Sequence, residues 1–227
     1  MSDKVITIDG PAASGKTSVS RELAKRLGWN WVSTGAFYRG LAYVAQQKQV
    51  DLKDQKALAN ICAEGDWHVE LTQDHTLVIF QGQDVTSEIF KEQVGSIASQ
   101  ISQYPEVRAA LLKAQRDMAL VDGLGLIAEG RDCGTVVFPK ADFKVYLTAR
   151  SEDRAMRRAM EQGEDVEKTL SEQKIRDKQD STRKSAPLQI PEGAFVVDTS
   201  TMDLSTVVSH IEQKLRSQFN QESFATP

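Results

Sequence analysis

The 227-residue chain is poor in the residues that build disulfide frameworks and metal centres, with two cysteines and three histidines. Cys62 and Cys133 lie far apart in the sequence and form no CxxC pattern. A disulfide framework and a structural zinc site are therefore not expected. A histidine-rich metal centre is not expected either, because too few histidines are present to supply one.

The sequence also lacks an excess of positive charge and a long apolar run. Its 28 lysines and arginines against 32 aspartates and glutamates give a net charge of −4, which argues against a general nucleic-acid-binding protein. No run approaches the ~18 apolar residues that a membrane span needs, and no secretory signal pattern opens the chain. We expect a soluble monomer of the cytoplasm with neither a nucleic-acid nor a membrane partner.

Five short apolar segments predict the strands of a buried parallel sheet. They are residues 5–8, 29–32, 124–128, 143–147 and 195–197. Amphipathic patterns between them predict helices, which include residues 36–47, 151–162, 166–182 and 204–219. Strands that alternate with helices in this way predict an α/β fold, with a five-stranded parallel sheet flanked by helices.

One segment breaks the alternation of strands and helices. Residues 67–71 and 76–80 resemble two strands joined by a polar turn at Gln73–His75, which is typical of an antiparallel hairpin. Helical patterns at about 52–64 and 87–102 flank this hairpin. The hairpin and its flanking helices therefore predict an insertion into the α/β core.

The predicted organisation is one domain, residues 1–227, in three parts. The insertion covers about residues 34–105, and the core covers about 1–33, 106–149 and 169–227. The third part, about 150–168, begins a stretch rich in interleaved opposite charges. Such a pattern is typical of exposed helices or of a mobile flap over a polyanion, so we predict a short helical lid there.

The most specific local motif is a P-loop. Residues 10–17, Gly-Pro-Ala-Ala-Ser-Gly-Lys-Thr, match G-x-x-x-x-G-K-[ST] at every fixed position, between a predicted strand and a predicted helix. In such a loop the backbone N–H groups and the helix N-terminus surround phosphates, Lys16 reaches the outer phosphates, and Thr17 can bind Mg²⁺. The motif predicts a nucleoside triphosphate site. Its candidate residues are Gly10, Pro11, Ala12, Ala13, Ser14, Gly15, Lys16, Thr17 and Ser18.

A P-loop alone does not separate a GTPase, a mechanical ATPase and a small-molecule kinase. The N-K-x-D guanine motif is absent from the sequence, and 227 residues with one P-loop leave little room for a motor. A surplus of arginines instead favours a kinase with an anionic acceptor. These arginines are Arg39, Arg108, Arg131, Arg157, Arg158, Arg176 and Arg183.

Three clusters contain most of these arginines. Residues 33–39 follow the second predicted strand and residues 129–132 the third, at the sheet edge where α/β proteins bind ligands. Glu129 could hold Mg²⁺ there, directly or through water. The third cluster, Arg176, Asp180 and Arg183, has helical spacing and could share one helix face. Taken singly, the clusters also fit a helix start, a strand-end turn and an exposed salt-bridge stripe.

Together these motifs resemble those of the bacterial cytidylate kinase family, over about residues 4–215. The matching stretches are residues 6–17, 33–39, 96–100, 104–108, 129–139 and 176–183. The resemblance implies transfer of the γ-phosphoryl group of ATP to CMP or dCMP, with Mg²⁺, to give ADP and CDP or dCDP in pyrimidine metabolism. It also accounts for the insertion, because this family enlarges its monophosphate-binding region at the same place.

The resemblance assigns a binding site for each part of CMP. Thr34, Arg39 and Arg131 would hold the phosphate, with Tyr38 beside the sugar and phosphate. A further set would read the cytosine edge, namely Ser99, Arg108 and Asp132. The third cluster would contact the ribose and phosphate region, through Arg176, Asp180 and Arg183.

The resemblance also assigns residues to ATP, to the metal and to catalysis. Arg157 and Arg158 belong to the lid and would close on the ATP phosphates. Thr17 and Glu129 would hold the metal. The implied catalytic residues are Lys16, Arg131, Arg157 and Arg158.

The sequence departs from the family pattern at three points, and other readings stay open. The family more often has Asp where this chain has Glu129, many members have Gly-Thr where it has Thr17-Ser18, and some have Arg at Gln179.

Other acceptors on the same scaffold would be UMP, dTMP, AMP or shikimate, although an adenylate-kinase-type chain would show Asp-Gly-Phe-Pro-Arg where this one has Glu-Gly-Arg-Asp. A different class would be a regulatory nucleotide switch without kinase chemistry.

Overall fold

The computed structural model describes residues 4–72, 75–121 and 123–219, and builds them around a five-stranded parallel sheet. The strands in chain order are β1 (Val5–Asp9), β2 (Asn30–Ser33), β3 (Trp67–Leu71), β4 (Thr76–Phe80), β5 (Gln83–Asp84), β6 (Leu126–Gly130), β7 (Phe143–Thr148) and β8 (Phe195–Asp198). The main sheet has the order β2-β6-β1-β7-β8, and β3-β4-β5 form a small antiparallel sheet. All five predicted core strands are thus confirmed.

Helices cover both faces of the main sheet. In chain order they are α1 (Lys16–Leu27), α2 (Gly35–Gln47), α3 (Gln55–Ile61), α4 (Thr86–Ile89), α5 (Glu92–Ile101), α6 (Pro105–Asp117), α7 (Ser151–Gln162), α8 (Val166–Thr182) and α9 (Leu204–Gln218). Two apolar clusters form the core. One joins β1 to α1 and α9, and the other joins the opposite face to α2, α6 and the small sheet. No helix in these described ranges is both long and apolar enough to span a membrane.

The strand register aligns the residues that follow β1, β2 and β6. Asp9 at the end of β1 is opposite Gly130, and Ser33 at the end of β2 is opposite Glu129. Because the strands are parallel, their carboxyl ends meet at one edge of the sheet. The P-loop after β1, the segment after β2 and the segment after β6 therefore converge there.

The structure corrects the sequence prediction mainly in the insertion. The helix predicted at 52–64 is confined to α3, where the Asp54 side chain caps the N-terminus by accepting from the amides of Lys56 and Ala57. The helix predicted at 87–102 is two helices, because the backbone is extended at Lys91. The predicted hairpin is present as β3 and β4, and Gln73 and Asp74 of its turn lie outside the described residues.

Two further elements were missed in the sequence. The two-residue strand β5 is too short to show an alternating pattern, and α6 begins at Pro105, which suits a first helical turn but also suits a loop. The lid-region helices α7 and α8, by contrast, have the predicted bounds. The insertion was thus harder to predict than the core.

Candidate active site

The P-loop connects β1 to α1 and wraps around the Lys16 side chain. Gly10 lies where a Cβ would approach the carbonyl oxygen of Leu147 to 2.2 Å, so only glycine lets the loop pass β7 this closely. Gly15 has φ +88°, a left-handed conformation that starts the helix. The Lys16 ammonium donates to the carbonyl oxygen of Pro11 at 2.6 Å. Burial lowers the pKa of Lys16 to about 7, with Arg131 adding to the effect.

Two oxygen-bearing side chains lie directly beside the P-loop lysine. The Thr17 hydroxyl donates to a carboxylate oxygen of Glu129 at 3.1 Å, across the joint between α1 and β6. Glu129 is buried. These are the hard oxygen donors that Mg²⁺ prefers, so the residues fit the ion. The described part of the chain has no group of three or more His, Cys, Asp or Glu suited to a metal.

Asp9 is a buried residue of this site that the sequence analysis missed. Its two carboxylate oxygens accept from the backbone amides of Cys133 at 2.8 Å and Gly134 at 2.7 Å. Those amides begin a π-helical turn, Cys133–Val137, directly after Arg131 and Asp132. Asp9 therefore fixes the segment after β6 relative to the P-loop. Burial raises the pKa of Asp9 to about 6. In the sequence, a carboxylate at the end of an apolar strand is the pattern that could have identified this residue.

A cavity of about 290 Å³ opens beside the P-loop, and all ten residues predicted to bind the acceptor line it. These are Thr34, Tyr38, Arg39, Ser99, Arg108, Arg131, Asp132, Arg176, Asp180 and Arg183. They come from α5, α6, the segment after β6, α2 with the residue before it, and α8 with the residue after it. The fold thus gathers residues that are up to 149 positions apart in the sequence around one space. Their individual roles stay predictions.

Most of the arginines that line this first cavity form ion pairs with carboxylates. Asp132 accepts from Arg108, and its other oxygen lies 3.4 Å from Arg183. Asp180 accepts from the Arg131 Nε at 2.8 Å. The side chains of Arg183 and Asp180 are 5% and 16% exposed, so these two residues do not belong to an exposed salt-bridge stripe. Arg176 is more exposed and pairs with Glu92.

Aromatic and hydroxyl groups complete the wall of the first cavity. The Tyr38 ring lies under the Arg108 guanidinium, with its centroid 5.4 Å from the guanidinium carbon. Burial raises the pKa of Tyr38 to about 12, so its hydroxyl stays protonated near neutral pH. The Thr34 hydroxyl donates to the carbonyl oxygen of Glu129 at 2.9 Å, which joins the segments after β2 and β6.

A second cavity, of about 550 Å³, lies on the other side of the P-loop. P-loop residues 13–18 line it together with Arg157, Thr199 and the apolar side chains of Met202 and Leu204. Arg157 donates to the Thr199 hydroxyl at 3.1 Å, and that hydroxyl lies 3.2 Å from the Ser14 carbonyl oxygen. Arg157 is therefore held against the loop that follows β8.

Both cavities share a short boundary. Five residues line both cavities, namely Ala13, Lys16, Thr17, Phe90 and Arg158. A phosphate held by the P-loop in the second cavity would thus lie next to an anion held by the arginines of the first. The arrangement suits the transfer of a group between two bound anions.

Arg154 is a further residue that the sequence analysis did not single out. It donates to the P-loop carbonyl oxygen of Ala12 at 3.1 Å, to that of Ala149 at 3.0 Å, and to the Asp177 carboxylate on α8 at 2.7 Å. It is buried, and it connects α7, α8 and the P-loop. It was hidden in the sequence by the many other charges between residues 150 and 184.

A P-loop beside a cavity lined by basic residues is the arrangement expected of a kinase that transfers a phosphoryl group to an anionic small molecule. The sequence comparisons agree with this class. The model of the cytidylate kinase family matches residues 6–217, and the chain belongs to that family. A protein named cytidylate kinase from Bdellovibrio bacteriovorus is 58% identical over 212 residues, which is 93% of this chain and 97% of that one.

Other relatives give the same assignment. The cytidylate kinase of Azotobacter vinelandii is 45% identical over 218 residues, covering 93% of this chain and 94% of that relative. Among solved structures, an uncharacterized protein from Eubacterium ventriosum superposes with a TM-score of 0.55 at 13% identity, covering 94% of this chain and 99% of that chain. This last likeness concerns the fold alone.

Proposed function

We propose that this protein transfers the γ-phosphoryl group of ATP to CMP or dCMP, forming ADP and CDP or dCDP. The observation that carries the proposal is the boundary between the cavities, where Lys16 reaches both the P-loop and the arginine-lined space. The sequence identity with proteins named cytidylate kinase supports the choice of acceptor. We further propose that the enzyme acts as a monomer in the cytoplasm, in pyrimidine nucleotide metabolism.

The donor would bind in the second cavity, with its phosphates on the P-loop. The backbone amides of residues 10–18 and the N-terminus of α1 would hold the phosphates, and the Lys16 ammonium would move from the Pro11 carbonyl to the transferred group. Thr17 and Glu129 would hold Mg²⁺, which neutralises phosphate charge when bound. Thr17 and Glu129 are already in contact with each other.

The acceptor phosphate would be held in the first cavity by Thr34, Arg39 and Arg131. Arg131 is oriented by Asp180, which fixes the direction of its guanidinium. Little covalent chemistry is required of the protein in phosphoryl transfer, because alignment and charge neutralisation lower the barrier. No general base is needed, since the attacking group is already a phosphate oxygen.

The cytosine ring would be read by Ser99, Arg108 and Asp132. Cytosine presents an N4 amino donor beside the N3 and O2 acceptors, whereas uracil presents O4 and a protonated N3. Asp132 can accept from N4, and Arg108 and Ser99 can donate to the acceptor atoms. The Asp132 carboxylate is fixed by its pairing with Arg108 and Arg183, which favours cytosine over uracil.

Water would be kept from the transferred group by two segments that close over the cavities. We assign these roles to the insertion, residues 34–105, and to the lid, residues 150–168. The ion pair between Arg158 of the lid and Glu92 of the insertion, at 3.0 Å, supports the assignment because it joins the two segments. Excluding water favours transfer to the acceptor over hydrolysis of ATP.

A coupled assay of ADP formation with CMP, dCMP, UMP, AMP and dTMP, and without acceptor, tests the proposal. We expect rapid ADP formation with CMP or dCMP, much slower formation with the other acceptors, and almost none without an acceptor. Equal rates with UMP or AMP would contradict the acceptor assignment. Slow ADP formation that no acceptor stimulates would instead favour a nucleotide switch.

A further inference from the structure

Arg39 differs from the other arginines of the first cavity in its pairing. Within the described ranges, Arg108, Arg131, Arg158, Arg176 and Arg183 each form an ion pair with an aspartate or glutamate. No carboxylate of those ranges lies within ion-pair distance of Arg39. Among the arginines that line this cavity, Arg39 is therefore the one whose charge no carboxylate pairs directly, although Glu92 acts on it at longer range, and its guanidinium is available to an anion.

Arg39 is held instead by uncharged groups of residues 89–95, from the end of α4 to the first turn of α5. One guanidinium nitrogen donates to the Ile89 carbonyl oxygen at 2.9 Å. The guanidinium carbon lies 5.5 Å from the centroid of the Phe90 ring. A Cβ on residue 95, which is Gly95, would come within 2.7 and 2.8 Å of the two terminal guanidinium nitrogens. We call these three groups the Arg39 slot.

The slot accounts for a glycine that the backbone does not require. Gly95 lies inside α5, where glycine is a poor helix former, and its φ is not positive. The three atoms nearest to the position that a Cβ would take there all belong to the Arg39 guanidinium. A Cβ at position 95 would therefore push the guanidinium away from the helix, whereas glycine lets the guanidinium lie against it.

The slot also accounts for an exposed aromatic residue. Phe90 is 54% exposed and lies at the edge of both cavities, so burial of its ring does not explain its presence. A cation placed over an aromatic face is attracted by the ring. The ring therefore holds the guanidinium without neutralising its charge, which a carboxylate in the same place would do.

We infer that Gly95 and Phe90 are positioning residues, which hold Arg39 at the first cavity with its charge free to pair with the acceptor phosphate. The inference rests on the proposed function, in which Arg39 binds that phosphate. It adds that a segment outside the P-loop and outside the arginine clusters determines how well the acceptor is bound.

Replacing Gly95 by Ala tests the inference, because the change favours the helix while it displaces the guanidinium. We expect the KM for CMP to rise about tenfold, with the KM for ATP unchanged and the thermal midpoint not lowered. Ser96→Ala, an exposed neighbour on the same helix, is the matched control and should leave every parameter unchanged. Phe90→Ala should raise the KM for CMP several-fold. Phe90→Trp keeps an aromatic face, so its KM for CMP should equal that of the wild type.

A double-mutant cycle shows whether the effect passes through Arg39. In an Arg39→Ala background, Gly95→Ala should cause no further rise in the KM for CMP. An unchanged KM for CMP in Gly95→Ala, or an equal rise in the Arg39→Ala background, would overturn the inference. A wild-type protein that fails to phosphorylate CMP would refute the proposed function instead. Calorimetry with inorganic phosphate then still tests the slot, since Gly95→Ala should weaken phosphate binding, and unchanged binding would overturn it.

Discussion

Replacing Asp132 by Asn tests how the base is chosen, because this change keeps the shape of the side chain and removes its charge. Asp132 is buried and accepts from Arg108, and its other oxygen lies 3.4 Å from Arg183. An asparagine there can donate to O4 of uracil through its amide nitrogen as well as accept through its oxygen. The preference for CMP over UMP should therefore narrow.

The expected size of the effect follows from the loss of a charged hydrogen bond. Such a bond contributes about 1.5–3 kcal/mol, which corresponds to roughly 10–150-fold in kcat/KM for CMP. The kcat/KM for UMP should fall much less, because in the wild type O4 of uracil faces the Asp132 carboxylate, lone pair against lone pair. The KM for ATP should change little, because Asp132 does not line the second cavity.

Steady-state kinetics of Asp132→Asn with CMP and with UMP, at saturating ATP, measure directly how far the ratio of the two kcat/KM values falls. Thermal unfolding of the same protein is the control, since a broken buried ion pair alone costs about 3–5 kcal/mol of stability. A destabilised variant whose kcat/KM falls equally for CMP and UMP would mean that Asp132 only holds the fold. A variant that keeps full discrimination would refute the assignment of Asp132 to the base.

Further predictions concern transfer, the sugar, the P-loop and pH. Lys16→Ala should nearly abolish transfer in a protein whose circular dichroism is unchanged, and near-normal turnover would remove the P-loop from the mechanism. Asp180→Ala should lower kcat as well as raise the KM for the acceptor, because Arg131 loses its orienting partner. A greater loss of kcat/KM with CMP than with dCMP would indicate that Asp180 contacts the 2′-hydroxyl. Unchanged kinetics would contradict a role for Asp180 in binding. Arg154→Met should lower the free energy of unfolding by roughly 2–3 kcal/mol, and a denaturant midpoint equal to that of the wild type would contradict the contact with the P-loop. Burial raises the pKa of Asp9 from 3.8 to about 6, so the folded state binds this proton more tightly than the unfolded state does. Proton binding therefore contributes fully to the free energy of unfolding below about pH 4, and this contribution is lost as the pH rises through 6. Relative to Asp9→Asn, the wild type should therefore lose up to about 3 kcal/mol of stability between pH 4 and pH 7.5, and parallel stability curves would contradict this.

The core of the fold was predictable because its signals are local. Each core strand is a short apolar run, and α1 ends at Leu27, directly before Gly28, whose φ of +66° suits glycine after the last helical turn. The P-loop was predictable for the same reason, since its spacing and both flanking elements lie within about 25 residues. The insertion was less predictable, because the break between α4 and α5 lies in the backbone conformation of Lys91, which leaves no pattern in the sequence.

The contents of the candidate site were predicted better than its connections. The ten residues that the resemblance assigns to the acceptor all line the first cavity, although their roles stay predictions, whereas their ion pairs could not be predicted from the sequence. Asp9 and Arg154 were missed because their partners are backbone groups of distant segments, at Cys133, Gly134 and Ala12. Such contacts leave no pattern of spacing. The Gly95 contact with Arg39 was missed for the same reason.

In the proposed reaction a phosphoryl group passes directly from ATP on the P-loop to an acceptor in the adjoining cavity. The most direct measurement follows the label from ATP labelled in its γ-phosphate during a single turnover with CMP. For direct transfer we expect the label to be recovered as the β-phosphate of CDP, and to stay in ATP when CMP is left out. Recovery of the label as inorganic phosphate, at the same rate with and without CMP, would contradict direct transfer.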